Sequence, residues 1–147
     1  MPFLHDQIGG GLWYRASSSL PWKRIAIGYA GNGDGQNNPA WQAIHNQGPL
    51  PVGNYTLVPV DVPHLGGNVF RLDPSPANTM FGRSAFFLHW KKANRDLTAS
   101  DGCICHGEPE TFVFIAHAVT NGDTSLQVAA MPPLADPPTP APPPPIT

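Results

Sequence analysis

The amino-acid sequence predicts a mainly β domain, a sandwich or barrel with little helix. The chain has 147 residues, of which 15 are glycine and 19 are proline, and this content disfavours long helices. Several short runs of β-forming residues are separated by turn residues, a pattern typical of sandwiches and barrels. No stretch of about 20 apolar residues occurs, so no transmembrane helix is predicted.

Six short strands are predicted in chain order. They cover residues 12–15, 24–30, 54–60, 67–72, 85–90 and 126–130. In the second, Ile25, Ile27 and Tyr29 alternate with small or polar residues, as in a half-buried strand. The fifth is a continuous run rich in aromatic residues, which indicates a strand buried on both faces.

Three other segments have a different character. Residues 31–39 are almost all Gly, Asn, Asp and Gln, which predicts a loop. Residues 40–46 have room for one or two helical turns. The apolar run at 111–119 fits a strand or a short helix, and its periodicity leaves both open.

The prolines divide the chain into two parts. Nine of the 16 residues from 132 to 147 are proline, whereas the preceding 131 residues contain ten. A segment so rich in proline has few backbone donors and little to bury, so we expect solvated polyproline II. The prediction is one folded domain at 1–131 and a disordered proline-rich tail at 132–147, with a spacer as its simplest role.

Charge excludes several classes of partner. The formal net charge is -2 and only 12% of residues are charged, so no basic surface for nucleic acid or anionic lipid is expected. The first eleven residues lack a basic segment followed by an apolar core, so we expect no cleavable signal peptide.

Cys103 is the candidate nucleophile. His89 ends the predicted buried strand, and Gly102 directly precedes the thiol. A nearby imidazole can convert a thiol into a thiolate, and a glycine turn can aim backbone amides at an oxyanion. The competing interpretation is that Cys103 is a small buried residue beside a structural histidine.

Cys105 follows Cys103 after one residue and raises two further alternatives. A disulfide across a single residue would be strained, so at least one thiol is expected to stay outside any disulfide. Together with His89 and His106 the cysteines offer four zinc ligands. Three ligands within four residues, however, cannot easily surround one tetrahedral ion, so no metal is expected. In an extended segment both thiols would point to the same side.

Four segments of the chain resemble one known family. The sequence shows Gly28-Tyr-Ala-Gly-Asn-Gly33 with Asn37-Asn-Pro-Ala40, then Gly48-Pro-Leu-Pro-Val-Gly-Asn-Tyr55, then Met80-Phe-Gly-Arg-Ser-Ala-Phe-Phe-Leu-His89, then Ser100-Asp-Gly-Cys-Ile104. In this order they resemble the L,D-transpeptidases, and more closely their Tlde1-like branch of type VI secretion effectors. Trp90 stands where the family pattern usually has glycine, and Cys105 where the classical enzymes have arginine or asparagine.

The resemblance implies an L,D-transpeptidase-like fold and a catalytic domain that acts on peptidoglycan. Such enzymes cleave the terminal D-alanine from tetrapeptide stems as L,D-carboxypeptidases, or exchange it for another D-amino acid. It implies that Cys103 is the nucleophile and His89 the base. Ser100 would orient His89 or bind substrate, unless its hydroxyl only caps the turn. Amides near Gly102 would hold the oxyanion, and no cofactor is needed.

The resemblance also suggests substrate-binding residues. Arg83 would hold a stem carboxylate or pair with an acid, and Trp90 would narrow the site or stack on substrate. Tyr29 and Asn38 belong to the matched loop and would line the cleft, unless that loop only supports itself through Asx turns. His106 and His117 remain rival bases.

The implied biology is that of an antibacterial toxin. A monomeric effector would be carried by type VI secretion components into the periplasm of the target cell. There it would meet peptidoglycan stem peptides, and a cognate immunity protein would protect the producer. The alternative is a non-catalytic cell-wall-binding module with structural Cys and His.

Overall fold

The computed structural model describes residues 2–61, 69–90, 102–106 and 109–133. In these residues the chain forms eight strands and one α-helix, so the prediction of a mainly β fold is confirmed. The strands are β1 Phe3–Asp6, β2 Gly11–Tyr14, β3 Lys23–Tyr29, β4 Gly53–Val60, β5 Val69–Pro74, β6 Phe87–Trp90, β7 Ile104–His106 and β8 Ser125–Ala129. The helix is α1, Pro109–Thr120, and short 3-10 turns lie at Gly33–Gly35 and Pro39–Trp41.

The strands close into a barrel in the order β1-β2-β3-β7-β6-β5-β4-β8. Most neighbours are antiparallel, but β1 runs parallel to β8, and β6 runs parallel to β7. A parallel pair cannot be joined by a tight hairpin, so a longer connection must separate its two strands in sequence. The connection between β6 and β7, residues 91–103, contains the motif around Cys103.

The barrel interior forms an apolar core, and α1 packs side chains into it. Strand β4 shows the alternation that builds it, since Tyr55 and Leu57 are buried while Asn54 and Thr56 are exposed. Other large core side chains are Phe3, Leu12, Leu50, Phe70, Leu72, Leu88, Ile104 and Leu126.

Residues 111–119, for which the sequence allowed either a strand or a short helix, belong to helix α1. Its buried residues are Thr111, Phe112, Ile115 and Ala118, a spacing that places them on one helical face. The helix packs Phe112 and Ile115 into the core. No helix among the described residues is long and apolar enough to cross a membrane.

Two strands were not predicted from the sequence. In β1 all four residues are buried, and the polar residues His5 and Asp6 hide the apolar alternation. Strand β7 has only three residues and includes His106. Two predictions lie outside the described residues: the role of Ser100, and most of the proline-rich tail, from residue 134 onward.

Candidate active site

Three strands place one side chain each in a single row across the barrel. In the antiparallel pairing of β3 with β7, Tyr29 lies opposite Cys105. In the parallel pairing of β6 with β7, His89 lies opposite the same Cys105. Residues paired across neighbouring strands point to the same face of a sheet. The register therefore brings Tyr29, Cys105 and His89 together although they are distant in sequence.

The thiol of Cys105 contacts the imidazole of His89. Its Sγ lies 3.3 Å from Nε2 and 3.9 Å from Nδ1 of the ring. Both side chains are buried, with 1% of Cys105 and 5% of His89 exposed. The same Sγ lies 3.9 Å from the carbonyl oxygen of Cys103. The sequence paired His89 with the thiol of Cys103, and the contact described here is with the thiol of Cys105.

Cys103 directly precedes β7, and its side chain is partly accessible whereas that of Cys105 is buried. It is half-buried and lines a cavity of about 340 Å³. The other lining residues are His45, Asn46, Gly82, Arg83, Ser84, Ala85 and Phe86. Neither cysteine forms a disulfide within the described part of the chain. Of the two thiols, Cys103 is the one that a ligand in this cavity can reach.

Gly102 is required by the geometry of the turn that precedes Cys103. Its φ is +123°, a conformation that residues with a β-carbon rarely adopt. An added β-carbon would lie 2.6 Å from Nη2 of Arg83 and 2.6 Å from the ring of Phe86. The Gly102 carbonyl accepts a hydrogen bond from the amide of Leu50 at 3.1 Å. The turn is thus fixed tightly against both neighbouring segments.

Arg83 joins the two walls of the cavity. Its guanidinium donates from Nη1 to the carbonyl oxygens of Gln42 at 2.6 Å and Pro49 at 2.7 Å, and from Nη2 to that of Gly48 at 2.9 Å. It lies 5.0 Å from the ring centre of Phe86 and is only 6% exposed. These contacts give Arg83 a clear supporting function, and its binding of a substrate carboxylate stays a prediction.

The matched Asn-rich loop is held by its own side chains. Asn38 accepts from the amide of Ala40 at 3.2 Å and donates to the carbonyl of Asp34 at 3.1 Å. Asn37 accepts from the amide of Ala30 at 2.9 Å, at the end of β3. The contacts of Asn38 are those of a self-supporting loop, one of the two alternatives that the sequence left open. The substrate contacts proposed for Asn38 and Trp90 remain predictions. The side chain of Trp90 lies outside the described part of the chain.

His45 is a cavity residue that the sequence did not indicate. Its Nε2 lies 2.9 Å from the carbonyl oxygen of Phe81, so the ring bridges two loops. Phe81 and Ala85 have positive φ values of 55° and 65°, and such strained positions often accompany functional sites. The sequence around His45 contains no motif. Only the fold brings this histidine to the same cavity as Cys103.

The rival bases lie apart from the row of Tyr29, Cys105 and His89. His106 follows Cys105 in β7, so its side chain points to the opposite face, where its ring centre is 6.4 Å from that of Phe112. Burial, with a further contribution from His89, lowers the pKa of His106 to about 4. His117 is exposed on α1. Of these three histidines, His89 is the one in contact with the Cys105 thiol.

The residues that the structure describes contain no group of three or more His, Cys, Asp and Glu side chains suited to a metal ion. The described site offers an accessible thiol, a buried imidazole and a constrained glycine turn. A thiol of this kind can form an acyl-enzyme when an imidazole removes its proton.

The fold and the site define a class: a small β-barrel domain in which a buried histidine contacts one cysteine and a second cysteine lines an accessible cavity. The chain belongs to the Tlde1 domain family, whose model matches residues 24–130. This places it among type VI secretion effector domains of the L,D-transpeptidase type, directed at peptidoglycan. No curated protein and no solved structure is significantly similar to the chain.

Proposed function

We propose that this domain is a cysteine enzyme that cleaves or exchanges the terminal D-alanine of peptidoglycan tetrapeptide stems. One observation carries the proposal: Cys103 is half-buried on a cavity of about 340 Å³, while the neighbouring Cys105 is 1% exposed. Of the two thiols, Cys103 is therefore the one that a stem peptide can approach. The family supports peptidoglycan as the substrate.

The proposed reaction proceeds through an acyl-enzyme. His89 takes the proton of the Cys103 thiol, and the thiolate attacks the carbonyl carbon of the diaminopimelate residue that precedes D-alanine. Backbone amides near Gly102 stabilise the oxyanion. When the C–N bond breaks, the imidazolium returns its proton to the amine of the departing D-alanine. Water then releases a tripeptide, or a second D-amino acid takes the place of D-alanine.

The constrained turn supports this assignment. Gly102 packs against Arg83 and Phe86, and its carbonyl is bonded to Leu50, so the amides on either side of it have a fixed direction. Preorganised donors stabilise a developing charge without the cost of reorganising during the reaction. Arg83 supports the same turn through its bonds to the carbonyls of Gly48 and Pro49.

The test is incubation of the purified protein with disaccharide tetrapeptide, followed by mass spectrometry for the tripeptide. A second reaction includes an excess of a different D-amino acid, and detects exchange. We expect conversion by wild type and none by Cys103→Ala or His89→Ala. His117→Ala, altered at an exposed position of α1, serves as the control and should retain full conversion.

The outcomes separate three interpretations. Absence of both tripeptide and exchange product with folded wild type would refute the enzyme and leave a cell-wall-binding module. Retained activity in Cys103→Ala together with its loss in Cys105→Ala would show that the nucleophile is misassigned.

The biological setting is part of the same proposal. A type VI secretion system would deliver the effector, acting as a monomer, into the periplasm of the target cell, and an immunity protein would protect the producer. The direct test is expression in a susceptible bacterium with and without a periplasmic targeting sequence. Growth inhibition should require both periplasmic targeting and an intact Cys103.

A further inference from the structure

We propose that Cys105 is a positioning residue that holds the His89 imidazole in the orientation required to serve Cys103. This inference rests on the proposed function, because it assigns His89 the role of base. It gives a purpose to the second cysteine of the Cys-x-Cys sequence, which stands where the classical enzymes have arginine or asparagine.

The first argument is the contact itself. The imidazole of a histidine turns freely about its second side-chain torsion, which has a broad energy profile. With Sγ of Cys105 at 3.3 Å from Nε2, a hydrogen bond can form and oppose that rotation. The parallel register of β6 with β7 sets the two residues directly opposite each other. The contact is thus fixed by the backbone of the barrel.

The second argument is that the thiol reaches the backbone of the nucleophile as well. Sγ of Cys105 lies 3.9 Å from the carbonyl oxygen of Cys103. The thiol is therefore within reach of both the ring of His89 and the backbone of the residue that the ring is proposed to activate. Tyr29 lies opposite Cys105 on its other side.

The third argument concerns charge. A thiol can donate or accept a weak hydrogen bond, so it can hold either neutral tautomer of the ring. The bond at one ring nitrogen sets the protonation of the other. An uncharged partner orients His89 without stabilising its imidazolium form as a carboxylate would. Burial of Cys105 keeps this thiol away from substrate, which distinguishes its role from that of Cys103.

The experiment compares Cys105→Ser, which keeps a hydrogen-bonding group, with Cys105→Ala and Cys105→Val, which remove it. Ile104→Val is the matched control, because Ile104 is equally buried in β7 but points to the opposite face. Three quantities are measured: kcat and KM on the tetrapeptide, the pH profile of Cys103 alkylation by iodoacetamide, and the ¹⁵N shifts of the His89 ring.

We expect Cys105→Ala and Cys105→Val to lower kcat by about 100-fold, the effect of a small misplacement of a catalytic group, with KM little changed. Both should also move the alkylation profile and the ¹⁵N shifts of the His89 ring. Cys105→Ser should stay within a fewfold of wild type, and Ile104→Val should change none of the three quantities.

The inference is overturned if Cys105→Val matches wild type, or if kcat falls in Cys105→Ala and Cys105→Val while the ring shifts and the alkylation profile stay constant. If Cys105→Ala does not fold, the comparison of Cys105→Ser with Cys105→Val still tests whether the hydrogen-bonding group at this position is required. Ring shifts and alkylation need no substrate. They therefore test the Cys105–His89 contact even if the protein proves inactive on tetrapeptide, and so separate this inference from the proposed function.

Discussion

The guanidinium of Arg83 packs so closely against Gly102 that a β-carbon on the glycine would lie 2.6 Å from Nη2. Two geometric requirements meet here: the positive φ of the turn before Cys103, and the bridge that Arg83 forms between the cavity walls. Changes at either residue should therefore disturb the same turn, but by different physical routes.

Gly102→Ala should lower the free energy of unfolding by about 3 kcal/mol, because a strained φ and a steric overlap act together. Urea denaturation followed by tryptophan fluorescence measures the change. Gly122→Ala is the control, since Gly122 also has a positive φ, +97°, but nothing lies within 4 Å of an added β-carbon. The control should cost about 1 kcal/mol from backbone strain alone. Equal losses in the two variants would show that the close packing is unimportant.

Arg83→Ala should lower the free energy of unfolding by about 3 kcal/mol, since it leaves buried carbonyl oxygens without their charged donor. The carbonyls concerned are those of Gly48 and Pro49. Arg71→Ala is the control, because Arg71 pairs with Asp73 on the exposed surface of β5, and its loss should be far smaller. The same urea titration measures both. A similar small loss in both variants would contradict a supporting role for Arg83.

Stability should fall in acid because of two buried histidines. Burial, and next the neighbouring His106, lowers the pKa of His5 from 6.5 to about 3, and burial lowers that of His106 to about 4. Below pH 6.5 the unfolded chain binds protons that the folded chain does not. The free energy of unfolding should therefore drop by roughly 1 kcal/mol per pH unit for each histidine, down to about pH 4.

Urea titrations at several pH values between 7 and 4 test this dependence. His5→Leu should give a shallower slope, whereas His117→Leu, at an exposed position, should leave the slope unchanged. Both imidazoles are fully buried, which favours their neutral forms. An unaltered slope in His5→Leu would exclude His5 as a source of the acid sensitivity.

His45→Ala should weaken substrate binding while leaving the chemistry intact. The variant loses the contact at 2.9 Å between Nε2 and the carbonyl of Phe81, which ties together two loops of the cavity. We expect KM for the tetrapeptide to rise about fivefold, equivalent to one hydrogen bond of about 1 kcal/mol, with kcat nearly constant. Steady-state kinetics measure both constants, with His117→Ala as the control. A fall in kcat at constant KM would assign His45 to the chemistry instead.

Local sequence patterns predicted much of the barrel. Alternation and turn residues located strands that correspond to β2, β3, β4, β5, β6 and β8. They failed for β1, where His5 and Asp6 are buried and interrupt the apolar pattern, and for the three-residue β7. Such strands form because neighbouring strands supply their hydrogen bonds, and that information is not local.

Local motifs indicated some candidate site residues and not others for a similar reason. His89, Gly102 and Cys103 belong to two short motifs close together in sequence, whereas His45 became a candidate only when the fold placed it on the same cavity as Cys103. For Arg83 the sequence offered a carboxylate partner, and the structure gives backbone carbonyls from a segment about 35 residues away. Contacts across such distances depend on how the strands are ordered.

The sequence by itself determined the mainly β class, the family motifs and the residue types available for chemistry. It could not decide which thiol lies against His89, because Cys103 and Cys105 point to the same side of any extended segment. Only the parallel register of β6 with β7 decided this: it sets Cys105 opposite His89 and leaves Cys103 at the strand end, facing the cavity. Register depends on hydrogen bonds between strands and on burial of the whole sheet, so it is a property of the tertiary structure.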